Sequence, residues 1–246
     1  MNRYLAFVSY VGTAYCGFQI QTKELTVQAC LDDALSTVLR QPIKIKASSR
    51  TDTGVHAHSN AFHFDCLLEL DEMHLKRLNG YLPQDLCVLS FQKVKSDFHS
   101  RFDALEREYI YLMHYGKKPF LELRSWQYFG GEFDLNKANQ ALKALLTYQD
   151  FAAFSKSNTQ VKTTLCDIKE ALWFDEGDGC FKFKICANRF LRGMVRAIVA
   201  TSINVGVGKL SLNDFESIIA SKESAKADFS APAYGLYLNS VKYVLA

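Results

Sequence analysis

The sequence lacks any Cys-x-x-Cys pair, although it contains seven cysteines, at positions 16, 30, 66, 87, 166, 180 and 186. An odd number of cysteines without metal-type spacing predicts free thiols in a reducing compartment. The apolar neighbours of Cys87 and Cys186 predict that these thiols are mostly buried. No apolar run approaches the roughly 18 residues of a membrane-spanning helix, and the chain opens on a strand pattern rather than a signal peptide. We therefore expect a soluble, cytoplasmic protein.

The chain also lacks a strong excess of either charge, with a formal net charge of +3 among 246 residues. A mildly basic balance permits a nucleic-acid partner without requiring one, because dedicated nucleic-acid binders often exceed a pI of about 9. The 48% hydrophobic and 22% charged composition is typical of a globular fold with a sizeable core. The length suits one large domain or two of ordinary size.

Motifs for phosphate, dinucleotide and metal binding are missing as well. The glycine-rich segment 10–19 lacks the Gly-Lys-Ser/Thr ending of a phosphate loop, and no dinucleotide fingerprint follows a strand. His56 and His58 lie near Asp52 and could supply metal ligands, but no third ligand cluster or His-Glu-x-x-His motif accompanies them. We predict no metal site.

Hydrophobic periodicity predicts the same order of elements in both halves of the chain. In the first half we predict strands at 3–10, 43–47, around 62–64 and at 86–94, a helix capped by Thr26 and ended by Pro42, and a short helix at 71–79. In the second half we predict strands at 107–115, 165–174, 180–187 and 234–244, a helix capped by Asp134, an amphipathic helix at 189–205, and a short helix with a Ser211/Asp214 capping box.

Each half therefore follows the ferredoxin-like order β-α-β-β-α-β. We predict an α+β fold of two such halves, residues 1–106 and 107–246, on a shared mixed or antiparallel sheet with a cleft between them. The connection near residues 95–101 has no proline, glycine or low-complexity run, so we do not expect a flexible linker.

The most informative segment is Arg50-Thr51-Asp52-Thr53-Gly54-Val55-His56-Ala57, which lies between two alternating runs. Asp52 is either a turn residue that bonds its own backbone or a carboxylate kept ionised by a nearby arginine, able to act as nucleophile or base. Catalytic groups concentrate on loops held by a rigid scaffold.

Two further elements carry side chains that could contact a phosphate or a base. Arg189, Arg192 and Arg196 form a stripe on the predicted helix 189–205, which is either a solvated basic face or a ridge that contacts phosphate or the carboxylate. Tyr109 and Tyr111 share one face of a strand. We predict that Tyr111 packs in the core and that Tyr109 is either a core residue or an exposed ring on which a base stacks.

Six segments in order along the chain resemble the motifs of the tRNA pseudouridine synthase A family. They are the glycine-rich segment 9–19 with Thr26-Val27-Gln28, the loop 50–56, Arg107-x-Tyr109-x-Tyr111, Asp150-Phe151-x-x-Phe154, the segment 190–196, and the segment 231–238. Three positions depart from the pattern: Asp228 where the family usually has glycine, Thr164 where arginine is common, and His58 after Val-His-Ala.

This resemblance implies a homodimer whose basic clefts hold transfer RNA and which converts uridines 38, 39 and 40 of the anticodon stem-loop to pseudouridine. It implies Asp52 as the nucleophile, Tyr109 as the ring stacked on the target uracil, and Arg196 as the partner of the carboxylate. Arg50 would hold flipped-out RNA and Leu236 would pack against the base. The isomerisation oxidises nothing and imports no group, so no cofactor is expected.

Three other hypotheses stay open from the sequence. The chain could be a non-catalytic RNA-binding protein with two recognition-motif-like halves, although the signature of that motif is missing. It could be a metal-dependent hydrolase that uses Asp52, His56 and His58. It could also be a pseudouridine synthase with other RNA targets.

Overall fold

The first part of the chain folds in the β-α-β-β-α-β order that its hydrophobic pattern predicts, in a computed structural model that describes residues 1–156 and 162–245. Its elements are β1 (Asn2–Tyr10), α1 (Val27–Leu39), β2 (Lys46–Ala47), β3 (His56–Cys66), α2 (Glu72–Tyr81) and β4 (Leu86–Val94). Together with the C-terminal strand β9 (Leu236–Lys242) they build unit 1, which comprises Met1–Leu105 and Tyr237–Ala246.

The sheet of unit 1 is mixed. Its strands follow the order β4-β1-β3-β9, in which β1 is antiparallel to both β4 and β3. The short strand β2 is antiparallel to the far end of β3, and β9 runs parallel to the start of β3, with His56 opposite Tyr237 and Ala57 opposite Leu238. The start of β3, directly after the Arg-Thr-Asp loop, is therefore held by the C-terminal strand.

Helix α1 begins as predicted, because the Thr26 hydroxyl accepts the Ala29 backbone N–H at 3.3 Å. The prediction that Pro42 ends the helix was wrong. The last helical residue is Leu39, and Arg40 follows in the left-handed conformation with a φ of 53°. A left-handed residue directly after the last turn is a common way to end a helix.

The strand predicted at 43–47 is reduced to Lys46–Ala47. Ile43 and Ile45 are buried as their alternation predicts. Their backbone N–H groups, however, donate to side chains of α1, Ile43 to the Ser36 hydroxyl and Ile45 to the Asp32 carboxylate, both at 2.9 Å. These donors are therefore not available for a sheet ladder.

Unit 2 comprises Glu106–Leu236. Its elements are β5 (Glu106–His114), β6 (Trp126–Gln127), α3 (Leu135–Leu142), β7 (Ile168–Gly177), β8 (Cys180–Ala187), α4 (Met194–Gly206) and α5 (Leu212–Ser221). Strands β5, β8 and β7 form an antiparallel sheet in that order, with β6 parallel to β5. The predicted caps are confirmed, since Asp134 caps α3 and Ser211 with Asp214 forms the capping box of α5.

Helix α4 starts five residues later than predicted. Gly193 precedes it with a φ of +76°, and a β-carbon at this position would lie 3.0 Å from the Lys156 side chain. A left-handed glycine interrupts a helix that the apolar spacing alone extends to residue 189. Arg189 and Arg192 therefore lie before the helix, and the predicted stripe of three arginines on one helix face was wrong.

Both units combine helices with sheets, so the α+β class is confirmed. The prediction of one half over residues 107–246 was wrong at its end. Residues Tyr237–Ala246 belong to unit 1 because β9 pairs with β3. The β-α-β-β-α-β order of the second half thus has its last strand in the first unit.

The cysteines are all free, as predicted. Cys66, Cys166 and Cys186 are buried, but Cys87 is exposed, which contradicts the prediction from its apolar neighbours. Side chains alternate along a strand, so Cys87 points away from the core face of β4 to which Leu86 and Val88 contribute. None of the helices in the described part of the chain is long and apolar enough to cross a membrane.

Candidate active site

The loop between β2 and β3 bends tightly at Asp52. The Val55 backbone N–H donates to the Asp52 carbonyl at 3.1 Å, and Gly54 has a φ of +79°. This is a four-residue turn with glycine at its third position, where a positive φ is required. The Asp52 side chain is half-buried and that of Arg50 is exposed. The bend predicted from the sequence is confirmed.

Buried polar side chains hold the residues of the loop that precede Asp52. The Tyr10 hydroxyl and the Thr51 hydroxyl are hydrogen-bonded at 2.8 Å, and the Asn60 amide donates to the Ser49 carbonyl at 3.0 Å. Tyr10, Thr51 and Asn60 are all buried, and burial raises the pKa of Tyr10 well above its ordinary value. The residues immediately before Asp52 are therefore held by neutral hydrogen bonds in a dry environment.

The glycine-rich segment 10–19 also packs against this loop through its backbone. The Phe18 N–H donates to the Thr51 carbonyl at 3.1 Å, and the Gly54 N–H donates to the Tyr15 carbonyl at 3.4 Å. A β-carbon on Gly12 would lie 1.9 Å from the Val55 oxygen, and one on Gly17 would lie 2.7 Å from the Thr51 oxygen. These glycines allow two backbones to approach closely. The segment supports the Asp52 loop, a role that the sequence analysis missed.

The two histidines after the loop have packing partners. His56 is 1% exposed, and its Nδ1 accepts the Gly12 N–H at 3.0 Å. The Tyr237 ring lies 4.6 Å from the His56 ring and 4.9 Å from the exposed His58 ring, whose Nδ1 bonds the Asn239 side chain. No group of three or more His, Cys, Asp or Glu side chains suited to a metal occurs in residues 1–156 and 162–245. Both histidines thus tie β3 to its neighbours.

Tyr109 and Tyr111 lie on β5 of unit 2. Tyr111 is fully buried as predicted, and its hydroxyl donates to the Pro232 carbonyl at 2.9 Å. Burial raises the pKa of Tyr111 well above its ordinary value. Tyr109 is only 8% exposed and contacts Phe190 edge-on at 5.1 Å. The hypothesis of an exposed Tyr109 ring is therefore wrong for this structure.

Arg196 lies in the first turn of α4 and is half-buried. Its Nε donates to the Ala231 carbonyl at 2.6 Å. This bond orients the guanidinium and leaves the two terminal nitrogens for an anion, because arginine carries five donors in one plane. Leu236 is buried at 6% exposure. Segment 231–236 therefore contributes both a partner for Arg196 and the candidate base contact Leu236.

Asp228, which departs from the family pattern, lies just before that segment and forms several hydrogen bonds. Its carboxylate accepts the Asn204 side-chain amide at 2.8 Å and the Ser230 N–H at 2.7 Å, while its own N–H donates to the Thr201 hydroxyl at 3.1 Å. These bonds lower the pKa of Asp228 even though burial opposes ionisation. The carboxylate thus anchors the chain to α4 three residues before Ala231.

The candidate residues fall into two groups, with Arg50 and Asp52 in unit 1 and Tyr109, Arg196 and Leu236 in unit 2. The sequence indicated Asp52 through the predicted bend and Arg196 through the resemblance of the segment 190–196 to the family motif. It gave no sign of the Ala231 carbonyl as a partner of Arg196, because backbone acceptors are invisible in a pattern of side chains.

Comparisons with known proteins agree with these motifs. A family model described as tRNA pseudouridine synthase matches residues 6–103 and 141–244. A tRNA pseudouridine synthase A of Porphyromonas gingivalis is 42% identical over 99% of this chain and 98% of its own length. The corresponding proteins of Bacteroides fragilis and Bacillus licheniformis are 43% and 37% identical, over 99% and 96% of this chain and 97% of each relative. The chain belongs to the tRNA pseudouridine synthase family.

Proposed function

We propose that this enzyme converts uridines 38, 39 and 40 of the tRNA anticodon stem-loop to pseudouridine, with Asp52 as the nucleophile. The observation that carries the proposal is the turn at Asp52, whose loop is held by the side chains of Tyr10 and Asn60 and by backbone hydrogen bonds to Tyr15 and Phe18. Such support positions a carboxylate within the narrow tolerance that catalysis needs.

The reaction balances without an added reagent. The bond from N1 of uracil to C1′ of the ribose breaks, the base turns, and a bond from C5 to C1′ forms. The C5 proton leaves to solvent and N1 gains a proton, so the product is an isomer of the substrate. Asp52 attacks either the ring or C1′, and in both cases it must be ionised. The paired uridine must first leave its stack, as in other enzymes that act on bases.

The other candidate residues take binding roles in this proposal. Arg196, oriented by the Ala231 carbonyl, stabilises the Asp52 carboxylate, and Arg50 holds the RNA from which the base is flipped. Leu236 packs against the uracil. The Tyr109 ring is only 8% exposed, so uracil can stack on it only after the ring becomes more exposed. We therefore expect Phe190, which contacts Tyr109 and lies outside any helix or strand, to move when RNA binds.

The test is Asp52→Asn, assayed by tritium release from tRNA that contains C5-labelled uridine. We expect turnover to vanish while the Kd for tRNA changes by less than about threefold, because phosphate contacts dominate RNA affinity. Asp178→Asn is the matched control, since that side chain is 92% exposed and forms an ion pair with Lys118. Tritium release that persists in Asp52→Asn would sink the catalytic assignment.

The target positions need a separate experiment. Mapping pseudouridine in cells that lack this chain should show loss at positions 38, 39 and 40 of tRNA and at no other site. Loss in other RNA instead would identify the enzyme as a pseudouridine synthase with different targets.

We further propose that the enzyme is a homodimer that works in the cytoplasm, where it meets tRNA. Segment 117–126 carries an exposed phenylalanine, Phe120, with 99% of its surface accessible. Light scattering on the purified protein should give twice the 27.9 kDa of one chain. A mass of one chain at micromolar concentration contradicts this part of the proposal.

A further inference from the structure

An aromatic ring with cationic neighbours protrudes from unit 1 far along β3 from Asp52. Phe102 is 73% exposed. The guanidinium carbon of Arg101 lies 5.7 Å from the centre of its ring, and the His99 ring lies 4.4 Å away on a tilted plane. Together with Lys46, these three residues form what we call the Phe102 platform. A single exposed phenylalanine needs no explanation, but one combined with two cations and a second ring has the composition of a nucleotide-binding surface.

Buried hydrogen bonds hold the backbone that carries the Phe102 platform. Ser100, which is fully buried, lies between His99 and Arg101. Its hydroxyl donates to the Lys46 carbonyl at 2.7 Å, and its N–H donates to Nδ1 of the buried His63 at 3.1 Å. The Tyr243 hydroxyl donates to its carbonyl at 2.6 Å. The backbone that carries Phe102 is therefore tied to β2, β3 and the C-terminal segment, and RNA binding need not order it.

Charge at this surface favours an anionic partner. Partial burial lowers the pKa of His99, and the charge of the neighbouring, exposed Lys46 lowers it further. A cavity of about 210 Å³ beside it is lined by Met1, Lys44, Lys46, His63 and Asp65, among others. Asp65 is neutralised by a bidentate pair with Arg3 at 2.7 Å. Two more acids lie nearby: Asp103, whose carboxylate accepts the His99 N–H at 2.7 Å, and Asp97, which is close enough to Arg3 to interact with its charge.

The platform lies well away from the reacting base. His63 packs against His99 at 4.7 Å and is seven residues further along β3 than His56, which follows the Asp52 loop. At about 3.3 Å per residue this corresponds to roughly 23 Å. One nucleotide cannot span that distance, so a ligand of the platform is a different part of the RNA from the target uridine.

We infer that the Phe102 platform binds a second nucleotide of the tRNA, with its base stacked on Phe102 and its phosphate next to Lys46 and Arg101. The inference rests on the proposed function for the identity of the substrate. A hydrophobic protein partner suits the surface poorly, because it would remove Lys46 and Arg101 from water without supplying a counter-charge.

The test measures the Kd for full-length tRNA by filter binding at fixed salt, with three replacements of one exposed side chain. Phe102→Ala and Phe102→Leu should raise the Kd roughly fivefold or more, because base stacking on an aromatic ring is lost. Phe102→Trp should keep the Kd within about twofold, because indole also stacks. Phe129→Ala is the matched control, an 84% exposed phenylalanine in the other unit, and should leave the Kd unchanged.

Lys46→Gln tests the phosphate contact separately. It should reduce the slope of log affinity against log salt by about 1. Unchanged affinity in Phe102→Ala, or equal weakening by alanine and tryptophan, overturns the stacking inference. An unchanged salt slope in Lys46→Gln overturns the phosphate contact.

The binding experiment is independent of catalysis. Each Phe102 and Lys46 variant is measured both in the native background and in Asp52→Asn, and thermal unfolding confirms that each one is folded. If Asp52→Asn retains tritium release while Phe102→Ala still weakens binding, the proposed mechanism fails and the platform stands. If Asp52→Asn loses tritium release while Phe102→Ala leaves the Kd unchanged, the platform fails and the mechanism stands.

Discussion

The left-handed backbone at Gly17 lies against the carbonyl of the residue before Asp52. Its φ is +82°, and a β-carbon would come within 2.7 Å of the Thr51 oxygen. We expect Gly17→Ala to cost about 1–3 kcal/mol of unfolding free energy, because a strained conformation and a backbone clash add. Tritium release should fall at least about tenfold, because displacement of a catalytic group by 1 Å costs about a hundredfold in rate. Urea unfolding and the kinetic assay measure the two effects.

Gly80→Ala is the matched control for that substitution. Gly80 lies inside α2, and a β-carbon there would meet no atom within 4 Å. Alanine at this position should stabilise the protein by about 0.5–1 kcal/mol, since glycine weakens a helix interior, with activity unchanged. If both alanine variants retain full activity, the segment 10–19 does not position Asp52.

The His56 ring offers a second residue-scale prediction. Its Nδ1 accepts the Gly12 N–H in a fully buried site. His56→Phe preserves a ring next to Tyr237 but leaves that N–H without an acceptor, which should cost about 1–3 kcal/mol. His56→Asn supplies an oxygen near the position of Nδ1 and should retain more activity than the phenylalanine variant. Equal activity in both variants, measured by tritium release, would mean that the hydrogen bond does not matter.

At the scale of elements, β1 and β3 are joined by a cross-strand ion pair. Arg3 and Asp65 are register partners, and Arg3 also donates to the Phe98 carbonyl at 3.0 Å. The Arg3 hydrogen bonds lower the pKa of Asp65 below its ordinary value. A depressed carboxyl pKa contributes stability that is present above the ordinary pKa near 4 and is lost as the pH falls below it.

Asp65→Asn should therefore destabilise the protein more at pH 7 than at pH 3. The side chain of Asp65 is 34% exposed, so the loss at pH 7 should stay below about 1 kcal/mol after solvent screening. Urea unfolding of both proteins at the two pH values measures the difference. A penalty of equal size at both pH values would point to lost packing rather than lost charge.

The elements that were predicted correctly from the sequence are those whose ends carry a local signal. Thr26, Asp134 and Ser211 each cap the helix that follows them, and β4 and β8 have the predicted bounds. Two of the errors have different causes. The donors of Ile43 and Ile45 are taken by α1 side chains, which no alternation pattern reveals. Gly193 interrupts an apolar spacing that by itself continues a helix.

The candidate site also has features with a local sequence signal and features that depend on residues far away in the chain. The turn at Asp52 follows from a glycine two residues later, which is local chemistry. The burial of Tyr109 depends on Phe190, far away in the chain, and an alternating strand cannot distinguish a covered aromatic face from an open one. The polar network of Tyr10, Thr51 and Asn60 joins three separate parts of the sequence and could not be predicted from any of them.

At the scale of the whole molecule, the C-terminal segment completes the N-terminal unit. Tyr237 packs on His56, Leu238 is fully buried, and the Tyr243 hydroxyl donates to the Ser100 carbonyl. The Lys242 carbonyl also accepts the Leu105 N–H at 2.9 Å. The sheet of unit 1 therefore receives its strand β9 only after the whole of unit 2 has been synthesised, because β9 is the last strand in the chain.

Deletion of residues 237–246 should for this reason damage unit 1, although it removes nothing from unit 2. Hydrogen exchange followed by mass spectrometry measures this directly. We expect peptides from β1, β3 and β4 to lose protection, because β3 loses its parallel partner and several buried side chains lose contacts. Peptides from β7 and β8 should keep theirs, because those strands pair only within unit 2. Equal loss of protection in both units would show that they unfold as one, and unchanged protection in β3 would show that β9 is dispensable for the loop that carries Asp52.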